Sequence, residues 1–228
     1  MKVLSFDTSS TALSVAVLEN EKVMAETLIN IKKNHSISLM PTIDFLMQSI
    51  GWQPNDLNRI VVAHGPGSYT GLRVAVATAK MLAYSLGIEL VGVSSLLALI
   101  EEHRTGLIIP IMDARRQNVY AGFYKDGESV APERHMPLSE VLDFAKGYSE
   151  VCFVGETLTF EETIRQELPK ASIHTTLPSA TRIGRIGLSL EPEVIDSFVP
   201  HYLKRVEAEE NWLKTHDETG NEDYVKRV

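Results

Sequence analysis

The chain has 228 residues, 44% of them hydrophobic, and a formal charge of -8. That length allows one large domain or two small ones with a genuine core, and the negative balance excludes a broad electrostatic grip on nucleic acid. A single cysteine, Cys152 in the apolar run VCFVG, excludes a disulfide framework and a thiolate metal cluster. The opening MKVLSFD lacks the apolar core of a leader, and no apolar stretch reaches bilayer length, so a soluble, cytoplasmic protein with no membrane contact is expected.

Apolar runs at 3–7, 13–18 and 22–29, separated by TSST and ENE, predict three strands in an antiparallel meander. Residues 36–50 carry Ile37, Met40, Ile43, Met47 and Ile50 at helical spacing, with Leu39 and Leu46 beside them. Ser36 or Ser38 is the expected cap, Pro41 then falls in the first turn, and Gly51 ends the helix. RIVVA at 59–63 reads as a buried strand, 70–86 as a helix stopped by Gly87, 89–93 as a short strand, and 94–103 as a further helix.

The pattern then starts again. GLIIPIMDARRQNVYAGFY repeats the layout of KVLSFDTSSTALSVAVL: an apolar strand closing on an aspartate, a polar turn, a second strand. Asp113 follows Asp7 by 106 residues, and Val119 follows Leu13 by the same interval. This predicts a duplicated βββ-α unit and an α/β fold class of two mixed-sheet units with flanking helices. The expected division is 1–104 and 105–207, with a polar, acidic tail at 208–228. The second unit should hold helices near 137–146, 157–168 and 179–190 and a strand at 151–155.

The segment HGPGSYTGLR, His64 to Arg73, joins a strand to a helix through Gly65, Gly67 and Gly71. It has two readings. Its N–H groups and the hydroxyls of Ser68 and Thr70 could hold a phosphate or carboxylate at the helix N-terminus. Equally, it could be a tight turn in which Pro66 stiffens the chain and Ser68 or Thr70 caps the helix. The lysine of a Walker loop is missing, and Arg73 could reach back to an anion or an acidic partner residue.

The helix at 70–86 has no clear polar side. Leu72, Val76, Ala79 and Leu86 line one flank, and Val74, Ala77, Met81 and Tyr84 line another. Gly71, Ala75, Ala79 and Ala83 permit close backbone approach. Burial on two sides follows: a sheet on one, another helix or subunit on the other. With the similarly apolar helix at 36–50, this predicts a dimer or heterodimer surface. Elsewhere the residues are less telling. His35 suits a hydrogen bond at a helix start better than a metal site, because its i+4 neighbour is Leu39. His64 has no triad partner nearby in sequence. Asp7 and Asp113 end strands at matching places, where they could hold Mg²⁺, position a water or cap the following turns. Arg115 and Arg116 occupy the second of those loops, and Gly155 with Glu156 gives little support for an adenosine pocket.

Several stretches resemble the bacterial TsaB (YeaZ) family: LSFDTSSTALSVAVL, HSISLMPTIDFL, VVAHGPGSYTGLRVAVATAKMLA, VSSLLAL, MDARRQNVYAGFY and VPHYLKRVEAE. Together they run in order through residues 1–209. The resemblance implies the actin/Hsp70/sugar-kinase-like (ASKHA) fold. It also implies a non-catalytic subunit of the machinery that attaches threonylcarbamoyl to the adenosine next to the anticodon (t6A), in tRNAs reading codons that begin with A. The catalytic partner would be TsaD, which holds a metal through an HxxxH pair. Here the corresponding positions are His35 and Leu39, so no metal, cofactor or catalytic residue is expected. The ATPase TsaE would be a third partner, tRNA would be met through the complex, and the same helices could form a homodimer. The expected interface is Leu39, Ile43, Met47, Leu72, Arg73, Val76, Ala79 and Ala83, with Val74, Ala77 and Met81 as substitutes if the helix is turned the other way. The alternative is an independent ATP-dependent phosphotransferase of the same fold; no GxSxG or HExxH pattern supports a hydrolase.

Overall fold

The computed structural model describes residues 1–31, 35–101 and 105–204. The first unit contains β1 (Lys2–Asp7), β2 (Ala12–Glu19), β3 (Lys22–Asn30), α1 (His35–Ser49), β4 (Arg59–Gly65), α2 (Tyr69–Leu86) and β5 (Glu89–Ser94). β1, β2 and β3 form the antiparallel meander, with Lys2 opposite Glu19 and Asp7 opposite Ser14. β4 lies parallel to β1, and β5 parallel to β4, giving the order β3-β2-β1-β4-β5. The inner strands are buried on both faces, which is why they read as unbroken apolar runs; β3, at the edge, alternates.

The second unit contains β6 (Leu107–Asp113), β7 (Asn118–Lys125), β8 (Glu128–Pro137), α3 (Leu138–Ala145), β9 (Val151–Gly155), α4 (Glu161–Glu167) and β10 (Ser172–Thr175). Its order, β10-β9-β6-β7-β8, is the first sheet's order read from the other edge. The offset of 106 residues carries Ala12–Glu19 onto Asn118–Lys125. β8 and β10 complete the repeat; neither has a distinct run in the sequence, because both are edge strands that leave many residues exposed.

Some helices differ from their predicted extents, for identifiable reasons. At 94–103 there is only a 3-10 turn, Leu97–Leu99, after which Ile100 is extended. The expected helix also runs into residues 102–104, which lie outside the described set, as does the tail at 208–228. α4 begins at Glu161, four residues later than predicted. α5 (Ala180–Ile186) ends at Gly187 rather than near 190, because the Arg59 guanidinium takes the carbonyls of Gly187 and, at 3.0 Å, Leu190 out of helical register. α1 starts at His35, so Ser36 and Ser38 sit inside its first turn and Pro41 lies deeper in the helix. Pro41 is on the exposed side, where water can serve the carbonyl that lacks its N–H partner.

Each sheet is covered on both faces. α1 and α2 bury Leu4, Phe6, Val15, Val17, Ile60 and Val62 of the first sheet. α5 covers the opposite face, against Val3, Ala16, Leu18 and Val61. The second sheet packs against α3 and α4 on one side, and against Leu96, Leu99 and Ile100 on the other. The strands of the two units thus divide between Ser94 and Leu107, yet the chain from Ser179 onward returns to the first unit. After α5, residues 193–202 run as a strap along the first sheet and α2. Glu193 N–H donates to Leu90 O, Lys80 Nζ to the carbonyls of Asp196 and Phe198, and His201 N–H to His64 O.

Candidate functional site

Two features of the first unit stand out: the outer face of the α1–α2 pair, and the turn that leads into α2. The helix pair presents its inner side to the sheet. Leu39, Ile43 and Met47 on α1, and Leu72, Val76, Ala79 and Ala83 on α2, are buried in the chain's own core. Gly71, Ala75, Ala79 and Ala83 are the small residues that bring α2 close to the sheet. The outer side carries large apolar groups in solvent: Ile37 at 71% exposure, Phe45 at 64%, Met81 at 70% and Tyr84 at 75%, with Met40 beside them. On α2 the exposed stripe runs Arg73, Ala77, Met81, Tyr84, one helical face. Exposed apolar groups gathered on one helix pair mark an interaction surface.

At the N-terminal end of that stripe, Arg73 is held in place. Its guanidinium lies 4.2 Å from the centre of the Tyr69 ring, and its Nε donates to the Tyr202 hydroxyl at 3.3 Å. Tyr69 and Tyr202 stack with their centroids 5.2 Å apart. The strap therefore adds Tyr202 to the edge of the face. Nothing in the sequence pairs Tyr202 with Tyr69, because 133 positions separate them and only the return of the chain brings them together.

The glycine turn is packed against the loop that follows β1. Ser68 N–H donates to Ser9 O at 2.7 Å, and Thr8 Oγ1 donates to Gly71 O at 2.8 Å. A Cβ at Gly67 would lie 2.4 Å from Ser9 O, and one at Gly71 would lie 2.0 Å from Thr8 O. These glycines let two segments of the same chain meet. Of the two readings of the motif, the turn accounts for them: Ser68 caps α2 by accepting from Gly71 N–H, and Gly65 and Pro66 are joined by a cis peptide.

Around this turn lie the titratable groups singled out in the sequence. Asp7 is fully buried; burial pushes its carboxyl up to about 6, against hydrogen bonding from Ser9 and the charge of His35. Its Oδ1 accepts from Ser9 N–H at 2.6 Å, and its Oδ2 has no hydrogen-bond partner. His35 opens α1 and its Nε2 donates to Ser10 O at 2.9 Å, the hydrogen-bonding role expected of it. His64 sits at the end of β4 between Phe198 and His201, and burial, then the neighbouring His201, pushes its pKa down to about 4. It is neutral at pH 7. In the second unit, Asp113 is exposed, accepts Arg115 N–H at 2.7 Å, and donates its own N–H to Glu156 at 2.8 Å. Burial raises the Glu156 pKa.

Comparison with known proteins places this chain. A domain family described as TsaD: tRNA N6-adenosine threonylcarbamoyltransferase matches residues 22–212. The tRNA threonylcarbamoyladenosine biosynthesis protein TsaB of Bacillus subtilis (strain 168) is 38% identical, across 94% of this chain and 99% of that protein. The chain belongs to the TsaB family. Its Escherichia coli (strain K12) namesake is 27% identical over 57% of each chain. The structure of YeaZ from Pseudomonas aeruginosa, 24% identical, superposes with a TM-score of 0.73 over 89% of this chain and 99% of that one. The fold is therefore the ASKHA fold that the resemblance implies, and its two sheets of matching order are the duplicated unit that the sequence predicts.

In this TsaB family member most of the residues expected at an interface lie inside the chain's own core. Of those eight residues only Arg73 is at the surface. Leu39, Ile43, Met47, Leu72, Val76, Ala79 and Ala83 face inward because the sheet beneath them is itself apolar and must be covered. Of the substitutes, Ala77 and Met81 are exposed and Val74 is half-buried. Ile37, Phe45 and Tyr84 were missing from both sets. Periodicity finds the two faces of such a helix but not which one meets the sheet, since both are apolar. No helix among the described residues is long and apolar enough to cross a membrane.

Proposed function

We propose that the chain is a non-catalytic scaffold subunit for threonylcarbamoyl transfer to the adenosine adjacent to the anticodon (t6A) in tRNAs reading codons that begin with A. In this reading it holds the catalytic TsaD subunit in a competent arrangement, with TsaE as the ATPase partner and tRNA engaged through the complex. The observation that carries the reading is the outer face of α1 and α2, where Ile37, Phe45, Met81 and Tyr84 stand in solvent on a helix pair. A partner's own helix pair fits such a surface by burying aromatic and aliphatic anchors at its centre. The same face can meet a second copy of this chain when the partner is absent. The filled glycine turn favours this scaffold over the phosphotransferase alternative: its carbonyl neighbours are Thr8 and Ser9 of the same chain, where a phosphate would need to approach.

The test is threonylcarbamoyl transfer to tRNA in a system reconstituted with the synthase, TsaD and TsaE. Omitting this chain should abolish turnover. Met81→Asp and Tyr84→Asp should lose partner binding, each costing about 2 kcal/mol or more as interface anchors do, while far-ultraviolet circular dichroism stays unchanged. Full activity without the chain would overturn the scaffold role. Wild-type behaviour of both variants would move the contact to another face.

A further inference from the structure

The strap carries the chain to the rim of the outer face of α1 and α2. Tyr202 meets Tyr69 and Arg73 at the N-terminal end of the α2 stripe, and Lys204 follows two residues later. Arg73 is oriented there but not neutralised. Tyr202 takes its Nε and Tyr69 lies under its plane, while among the described residues no carboxylate pairs with it. A guanidinium fixed in this way presents its terminal N–H groups to a carboxylate with little further ordering.

The sequence after Lys204 supplies what this face lacks. Glu207, Glu209 and Glu210 come first, and Trp212 and Leu213 follow. Between Glu207 and Glu222 those two are the only large apolar side chains, so they hold the apolar area that the stretch can bury. The order matches the α2 stripe, where Arg73 lies next to the strap and Met81 and Tyr84 lie farther along. The spans agree as well. From Arg73 to Tyr84 the helix rises about 16 Å. The eight residues from Lys204 to Trp212 reach up to about 26 Å.

We propose that the segment after the strap folds back onto the outer face of α1 and α2, its glutamates on Arg73 and its Trp212 and Leu213 on the exposed apolar groups, and covers that face until a partner displaces it. The inference rests on the scaffold reading of the face. It makes the segment an internal competitor of the catalytic subunit, effective despite few contacts because the strap holds it at high local concentration. A face covered about two-thirds of the time binds its partner about threefold more weakly.

Trp212 is its own probe. The chain has two tryptophans, so Trp52→Phe leaves Trp212 as the sole emitter in the full chain. Its emission should be blue-shifted and shielded from acrylamide, independently of protein concentration. Adding Arg73→Gln or Tyr84→Asp should shift it to the red and raise quenching. Against TsaD, Trp212→Ser in the otherwise unaltered chain should bind about threefold more tightly than the wild type. Quenching that neither face variant changes would overturn the proposal, whether Trp212 is in solvent or packs elsewhere, as in the cleft between the units. Shielding that grows with concentration would assign the face to a second copy and overturn it too. So would Trp212→Ser binding TsaD no more tightly than the wild type. If no form of the chain binds TsaD, the scaffold reading fails, and the quenching measurements still decide whether the segment docks.

Discussion

The two units share one strand order and have been put to different uses. In the first, α1 and α2 run 15 and 18 residues; in the second, α3 and α4 run 8 and 7. The long pair covers its sheet and still has an outer side bearing Ile37, Phe45, Met81 and Tyr84. In the short pair the one comparable residue among those described, Phe144, packs against Phe123 and Tyr148. The aspartates at the matching strand ends differ as sharply: Asp7 is fully buried, Asp113 exposed. A duplicated fold thus keeps its sheet and changes its helices and loops, and of these two helix pairs it is the long one that leaves several large apolar groups in solvent.

The largest effect that would sharpen this contrast is a charge on the inner side of α2. Ala79→Asp places an unpaired carboxylate in the core of the first unit and should cost more than about 4 kcal/mol, read as loss of the cooperative thermal transition. Normal folding of Ala79→Asp would mean that α2 turns its other side to the sheet.

The aspartate pair comes next. Folding raises the Asp7 pKa from 3.8 to about 6, so the folded chain keeps a proton that the unfolded chain releases. Stability is therefore unpenalised below about pH 4, falls as the pH climbs towards 6, and stays lower by about 3 kcal/mol above that. Asp7→Asn should remove that slope and raise stability at pH 7, whereas Asp113→Asn should change it by less than about 0.5 kcal/mol. His64 works in the opposite direction. Its pKa is held near 4, so stability is lost as the pH drops below 6.5, and this loss should persist in urea titrations of the Asp7→Asn variant.

Glycine substitutions sharpen the comparison at a smaller scale. Gly71→Ala would drive a methyl to 2.0 Å from Thr8 O and should cost about 2 kcal/mol. Gly147→Ala in the second unit meets only Phe144 O at 3.5 Å and should be neutral by the same denaturation measurement. Smallest of all, Met81→Asp should shift stability by no more than about 0.5 kcal/mol, since its side chain stands in solvent.

Much of the fold was legible because buried strands are continuous apolar runs and because the repeat, Asp7 to Asp113, is written twice. The edge strands β8 and β10 were not, since exposed residues carry no such signal. Boundaries were missed where a distant residue decides them: Arg59 stops α5 from the other end of the chain. The site was half legible. The excess of apolar residues on 36–50 and 70–86 points to a second surface, but choosing its residues requires the helix phase, and only the packing of Leu72 and Ala79 on the sheet fixes that.

That return also governs the order in which the protein can be assembled. Ser14 accepts the N–H of Ala180, Arg59 reaches Gly187 and Leu190, and His201 closes on His64. A chain emerging from its N-terminus has all five strands of the first sheet long before the segments that cover one of that sheet's faces. The first unit therefore waits, half-covered, until residues 180–201 have been made, and an N-terminal fragment ending before β6 would expose Val3, Ala16 and Val61 to aggregation.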